Sequence, residues 1–272
     1  MDRTNEGKIS MKTLTAPGVT EAERASEPHV LFSAWMRHFI VNRERHAAIE
    51  AGVDWTAPAD LTHDIRAAFV RSFQRFELGE GGDGGRLLRK AGAVAGVAQL
   101  QALRLLVREE QLHSELFLRG LRHLAAPTLD SHWSDRVFTE LRRALGLRTE
   151  LALFLTAETV AMPFFVALAA YEQDEVIRTI GRRIVLDEQH HVDFQIDQLA
   201  HGFATLRPAA RPVVFAIWTV VAIGATAVLA LDHAAALRAC GLRPVAFARE
   251  ALRSYRRAAR ASLWPRPATM EA

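Results

Sequence analysis

Two glutamates, Glu80 and Glu158, each stand thirty residues ahead of a Glu-x-x-His, at Glu110 to His113 and at Glu188 to His191. Residues three apart in a helix project from one face, so each Glu-x-x-His can chelate one ion. A single pair of this kind arises by chance on many solvated helices. Two in register, each with a lone glutamate at the same offset, describe a twofold repeat. In it Glu109-Glu110-Gln111-x-His113 superposes on Asp187-Glu188-Gln189-x-His191, and Glu80 on Glu158. That repeat requires two helical hairpins laid against each other around one shared polar centre.

Facial periodicity tests the idea, because a residue aimed at the core must fall on the apolar stripe of its helix. Leu103, Leu106, Glu110, His113, Phe117 and Leu121 form one such stripe. Leu151, Phe154, Glu158, Ala161, Phe165 and Leu168 form a second, and Ile177, Ile184, Glu188 and His191 a third. Phe69, Phe73, Phe76 and Glu80 form the fourth and select Glu80 over Glu77, which lies near the stripe's edge. Four core carboxylates without counter-ions would be prohibitive. Two divalent ions balance them when both histidines are neutral, and the mixture of carboxylate oxygen and imidazole nitrogen suits iron or manganese.

Beyond residue 28 the apolar positions recur at helical spacing and strand-like alternation is nearly absent, so an all-α fold is expected. The expected helices run from about Val30 to Ala51, from near Asp60 through Phe76, over Leu87 to Leu124 with a turn at Ala91 to Gly96, and over Asp135 to Leu145. Thr149 to Tyr171 and Asp174 to Phe203 then form a hairpin, and Leu242 to Ala261 closes the chain. Glycines 79, 81, 82, 84 and 85 would ordinarily stop a helix. With Glu80 read as a mid-helix ligand, the helix is expected to continue through them in distorted form, its glycines letting a partner helix approach. Pro163 removes a helical hydrogen bond five residues after Glu158, and a kink there would either open a path to the centre or serve packing alone.

Composition narrows the alternatives. Residues 1–27 are polar, lack the apolar core of a secretory signal and are expected to be a disordered tail. Residues 28–264 are read as one helical domain and 265–272 as a short tail. The net charge of +3 and pI of about 9.5 come almost wholly from arginine, lysine occurring only at positions 8, 12 and 90. Arg249, Arg253, Arg256, Arg257, Arg260 and Arg266 cluster near the end without interleaved stacking aromatics, so they read as a solvated helix face and nucleic acid is not an expected partner. Cys240 is the only cysteine, which excludes an internal disulfide or thiolate metal site and agrees with a reducing cytoplasm. Val213 to Leu231 carries no charge over nineteen residues. That length meets the requirement for a membrane span, but its many alanines favour a helix buried on all sides of a soluble bundle, and a membrane is not an expected partner.

Phe76 to Glu80 (Phe-x-Leu-Gly-Glu), Glu109 to His113 (Glu-Glu-Gln-x-His) and Asp187 to Val192 (Asp-Glu-x-x-His-Val) give the stretch from about Asp60 to Phe203 a resemblance to the ferritin-like di-iron carboxylate superfamily, and most closely to bacterial ferritin-like proteins. The resemblance implies a four-helix bundle, here with additional N- and C-terminal helices. It implies two iron ions, with manganese able to replace one or both, held by Glu80, Glu110, His113, Glu158, Glu188 and His191, of which Glu110 and Glu188 would bridge the metals. It also implies that Asp187 and Glu109 each hold the outer N–H of the histidine across the bundle. A rubrerythrin-type iron site needs more than one cysteine, and neither Tyr171 nor Tyr255 fits the radical tyrosine of a reductase subunit. The arylamine N-oxygenases of the superfamily add a histidine one turn before the second Glu-x-x-His, where this chain has Ile184. The expected activity is an oxidoreductase that activates O₂ to oxidise a small organic substrate with an external electron donor. Phe154, Met162, Phe164 and Phe165 are candidates to line its pocket. Ferroxidation or peroxide removal without an organic substrate is the alternative, and a homodimer is left open.

Overall fold

Leucines, alanines and phenylalanines at three- and four-residue spacing dictate helices, and the computed structural model of the chain, which describes residues 18–24, 26–144 and 146–265, contains no strand among them. The elements are α1 (Glu21–Arg24), α2 (Pro28–Ala51), α3 (His63–Glu80), α4 (Gly85–Gly92), α5 (Val97–His123), α6 (Trp133–Ala144), α7 (Leu147–Ala169), α8 (Glu175–Gly202), α9 (Arg211–Asp232), α10 (Ala234–Ala239) and α11 (Pro244–Leu263). A 3₁₀ turn, Pro208–Ala210, leads into α9. Two hairpins, α3 with α5 and α7 with α8, meet along α5 and α8, so the bundle core is built from the four helices that carry the repeat. α2 packs over α5 and α8, while α9 and α11 lie together on the far side over α7.

The stripes become the core. Phe69, Phe73, Phe117, Phe164 and Phe165 are all buried, and the Phe76 ring stacks on those of Phe117 and Phe164 at 5.2 and 5.3 Å. Truncating a core phenylalanine costs about 3–5 kcal/mol. The α7–α8 hairpin closes most tightly at Gly181, where a Cβ would stand 2.3 Å from the backbone nitrogen of Ala169. Asp174 caps α8, its side chain accepting from the Ile177 N–H at 2.9 Å.

Several expectations are corrected. The second long helix starts at His63 and not near Asp60, which stays exposed before it. That helix does not pass through the glycines: α3 ends at Glu80, residues 81–84 form a turn, and α4 begins at Gly85. Gly84 has φ +61°, and a Cβ there would lie 2.5 Å from a Val107 methyl, so the glycine serves both the turn and its close approach to α5. Pro163 is buried inside an uninterrupted α7. The uncharged helix is also not buried on all sides. α9 buries Trp218, Ala222 and Thr226, whereas Val213, Ile217, Val220, Ile223 and Leu231 remain more than half exposed. Its composition does not distinguish a helix enclosed all round from one with an open apolar face. Residues Glu21–Arg24, expected within the tail, form the short α1, and Arg24 pairs there with Asp193 and Asp197 of α8 at 3.2 and 3.0 Å. Residues 1–17, Ala25, Leu145 and 266–272 lie outside the described residues.

His233, between α9 and α10, sits against the rings of Phe76 and Phe164, and its Nδ1 hydrogen-bonds the Ser72 hydroxyl at 2.9 Å. Burial pushes its pKa from 6.5 down to about 3. The ring is neutral in the fold and gains a proton on unfolding below about pH 6.5. Its contribution is therefore complete above that pH and is lost as pH falls toward 3, by up to about 5 kcal/mol. Urea unfolding across this range should show a shallower acid decline for the double variant Ser72→Ala/His233→Leu than for the parent. Equal slopes would contradict this assignment.

Candidate metal centre

α5 and α8 run side by side at mid-bundle and each presents its Glu-x-x-His to the other. Ligand atoms of Glu110, His113, Glu188 and His191 all lie within 4.8 Å of one another, and the two imidazoles are 5.3 Å apart between centroids. His191 Nδ1 is 2.8 Å from Glu110 Oε1 and 3.9 Å from Glu188 Oε2, while His113 Nδ1 is 3.3 Å from Glu188 Oε1. Glu188 thus stands between both rings. Glu80, at the last turn of α3, shares a side-chain hydrogen bond with Glu110. Glu158 of α7 accepts from the Gln195 amide and faces the charges of Glu188 and Glu110. Of the six residues singled out by the repeat, Glu110, His113, Glu188 and His191 form the close cluster, and Glu80 and Glu158 lie beside it, near enough for the charges of Glu110 and Glu188 to act on them. Glu77 is not among them, its backbone carbonyl instead accepting from Ser114 at 3.0 Å.

The outer faces of the histidines are held as expected. His113 Nε2 pairs with Asp187 Oδ2 across the bundle at 2.9 Å, and His191 Nε2 with Glu109 Oε2 at 2.9 Å. A carboxylate can only accept, so each Nε2 carries the hydrogen and each neutral ring turns a lone pair on Nδ1 toward the centre. There the lone pair meets another carboxylate oxygen. A proton or a cation has to lie between them. Consistently, Glu110 Oε1, His113 Nδ1, Glu158 Oε2, Glu188 Oε2 and His191 Nδ1 are all buried without a hydrogen-bond partner.

Electrostatics agree with this geometry. Burial, then the Glu110 charge, raises Glu80 well above the usual carboxylate range. Burial, then Glu188 and Glu110, does the same to Glu158. Burial would also raise Glu110, but the neighbouring His191 brings it down to about 2. Burial would lower His191, yet Glu110 and Glu109 on either side hold it well above its ordinary value. Protons on Glu80, Glu158 and His191 fill the role of counter-ions, a role that divalent ions at the same point could take over.

α2 supplies a layer that the repeat did not reveal. The Asn42 amide nitrogen donates both to Glu109 Oε1 at 2.8 Å and to Asp187 Oδ1 at 2.9 Å, tying the two outer carboxylates together. His46 Nε2 lies 2.8 Å from Asp187 Oδ1. Arg183, one turn before Asp187 on α8, donates to its other oxygen, and Arg45 approaches at 3.5 Å. Burial, with the Arg183 charge, pushes His46 down to about 3, so it stays neutral. Two arginines then offset two carboxylates in this outer layer, and the inner carboxylates have no arginine or lysine paired with them among the described residues. His46, Glu109 and Asp187 also lie close enough together to hold an ion, but their oxygens are already engaged by Asn42, Arg183 and the two histidines. A signal was present in the sequence: Trp35, Phe39, Asn42 and His46 step by four, three and four residues, so two polar residues take places on an apolar stripe. Asn42→Leu is expected to weaken metal affinity by about 10–100-fold while leaving all six inner residues in place, as read by competition with a chromogenic chelator. Unchanged affinity would remove Asn42 from this role.

Beside Glu80, Glu110 and Glu158 lies a cavity of about 60 Å³, walled by Gly79, Gly82, Gly84, Leu106, Phe154 and Arg142 among others. Of the expected pocket residues only Phe154 lines it; Phe164 and Phe165 belong to the packed core. Comparison with protein-family models, with curated proteins and with solved structures finds no match to this chain. What the site does therefore has to be argued from its own geometry.

Proposed function

We propose that the chain is a ferritin-like di-iron carboxylate oxidoreductase that activates O₂ and oxidises a small molecule with electrons from an external donor. The observation that carries this reading is the pair of imidazole Nδ1 atoms, each fixed by an outer carboxylate and each aimed at an inner one at 2.8 and 3.3 Å. Four inner glutamates and two imidazoles match the donor chemistry and the charge of two ferrous ions, with manganese the nearest substitute. Glu80, Glu110, His113, Glu158, Glu188 and His191 would hold the ions. Bound iron would supply a redox couple and open positions for O₂.

The remaining work falls to the chain itself. Asp187 and Glu109 fix the tautomer of the two histidines. The packed rings of Phe76, Phe117 and Phe165, Phe76 one turn before Glu80 and Phe117 one turn after His113, would keep water from that end of the centre. Gln195, two turns after Glu188 on α8, donates to Glu158, and the cavity beside Glu80 and Glu158 offers the route for a small reactant.

Cavity size favours a second reading as well. About 60 Å³ is far below the roughly 300–1,000 Å³ typical of sites for organic ligands. O₂ or hydrogen peroxide fits it, whereas an organic substrate requires the glycine turn at 81–84 to move aside. Ferroxidation or peroxide removal needs no such movement. One experiment separates these readings: load ferrous iron without oxygen, count metals, then admit O₂ while recording visible absorption with and without added iron. Two irons per chain and a transient absorption are expected of either oxidative chemistry. Continued uptake of added iron selects ferroxidation, and no more than one metal per chain with no response to O₂ sinks the proposal.

A further inference from the structure

We propose that the α9–α11 face docks the protein onto a bilayer containing anionic phospholipid, with α9 lying in the plane of the lipid–water interface. The inference is independent of the metal centre and rests on three observations. The first is the open face of α9. Val213, Ile217, Val220, Ile223 and Leu231 are 53–77% exposed, and no charged residue occurs from Pro212 to Leu231. Over about 33 Å of helix, nothing on this face interacts well with water. Trp218, Ala222 and Thr226 hold the other side against the bundle, so α9 presents a stripe to a surface and does not leave the fold to cross it.

The second observation is the charge beside that stripe. α11 packs on both α9 and α7, and it carries Arg249, Arg253, Arg256, Arg257 and Arg260 against the single acid Glu250. All five arginines are exposed. The sequence alone reads them as a solvated face, and the fold sets them next to an apolar one. Four of them, together with Pro212 and Phe215 where the α9 stripe begins, line a groove of about 1390 Å³ that runs on to Pro28 of α2 and to Ile196 and Asp197 of α8. The third is Trp264 at the end of α11, 40% exposed and edge-on to Phe215 at 5.8 Å. A tryptophan at the boundary of an apolar stripe and a basic row suits the headgroup level of a membrane. Apolar stripe, arginine row and boundary tryptophan are the features of an interfacial helix pair.

A second copy of the chain fits this face less well. A helix stripe about 33 Å by 10 Å covers roughly 330 Å², under half of the ~800 Å² per partner in a stable interface. Widening the contact sideways sets the arginine rows of both copies against each other. Phosphate headgroups neutralise those rows.

The test is flotation of the full chain with phosphatidylcholine vesicles, with or without about one-third phosphatidylglycerol, at low and high salt. The protein is expected to float with anionic vesicles and at least tenfold less with neutral ones, and salt should weaken the association. Arg256→Gln/Arg257→Gln and, separately, Ile217→Ser/Val220→Ser should each reduce flotation at least tenfold with unchanged helical circular dichroism. Three results overturn the proposal: no flotation with either vesicle, equal flotation with both, or a concentration-dependent dimer in ultracentrifugation that Ile217→Ser/Val220→Ser abolishes. The wild-type comparison decides the matter even if a variant fails to fold.

Discussion

Glutamine at position 188 is expected to lower metal affinity at least ~100-fold and, at the same time, to stabilise the metal-free protein. Changing a residue that only orients a ligand costs about 10–100-fold in affinity, and Glu188 is closer to the chemistry than that. It lies between His113 and His191, 3.3 and 3.9 Å from their inward nitrogens, and is 1% exposed. On the proposed assignment the centre would lose a donor that faces both histidines, and three inner carboxylates would no longer balance the four positive charges of two divalent ions. The opposite sign in the metal-free protein follows from the same crowding. Glu188 is one of the charges that raise Glu158 and Glu80, so an isosteric neutral group relieves a repulsion that the empty centre has to bear. Elemental analysis gives the first effect, and urea unfolding after chelation gives the second. Retention of both metals, or a metal-free protein destabilised by the substitution, would show that Glu188 is not shared between the two positions. Glu77→Gln is the control and should leave the metal content unchanged.

Gly181→Ala carries the largest expected effect on the fold. The added Cβ would lie 2.3 Å from the nitrogen and 2.9 Å from the Cα of Ala169, and 2.6 Å from the carbonyl carbon of Leu168. These are backbone atoms, so no side-chain rotation relieves the contact and the end of α7 has to separate from α8. Overpacking of this kind costs about 3 kcal/mol or slightly more, which lowers the melting temperature by about 10 °C in a chain of this size. The damage should also reach the centre, because the same hairpin sets Glu158 against Glu188. Thermal melts with and without ferrous iron are informative here, since a strained hairpin should lose part of the stabilisation that metal provides. A melting temperature within a degree or two of the parent would mean that the hairpin closes less tightly than the backbone distances indicate.

The inner centre was legible because its chemistry is written at helical spacing. A ligand must share a stripe with phenylalanines and leucines, so Glu80, Glu110, Glu158 and Glu188 could be chosen from many surface glutamates. Glu109 and Asp187 were legible as neighbours of those ligands. Asn42, His46 and Arg183 were harder to find, since Asn42 and His46 act on residues 67 to 145 positions away and only the packing of α2 over α5 and α8 joins them. The glycines after Glu80 were misread because a ligand was assumed to need helix on both sides. A helix's last turn holds a carboxylate equally well. For α9, a run of small apolar residues is the same string whether it is enclosed or open on one side.

Asn42 breaks the symmetry of the repeat. A single amide locks both outer carboxylates on the α2 side, so the histidines share one rigid backstop and neither can be re-aimed without the other. The opposite side, with Glu80 in the last turn of α3 and Glu158 held by one glutamine, has no such clamp. The centre is thus clamped on its α2 side and held more sparsely on the side of the cavity, through which the proposed reactant would approach.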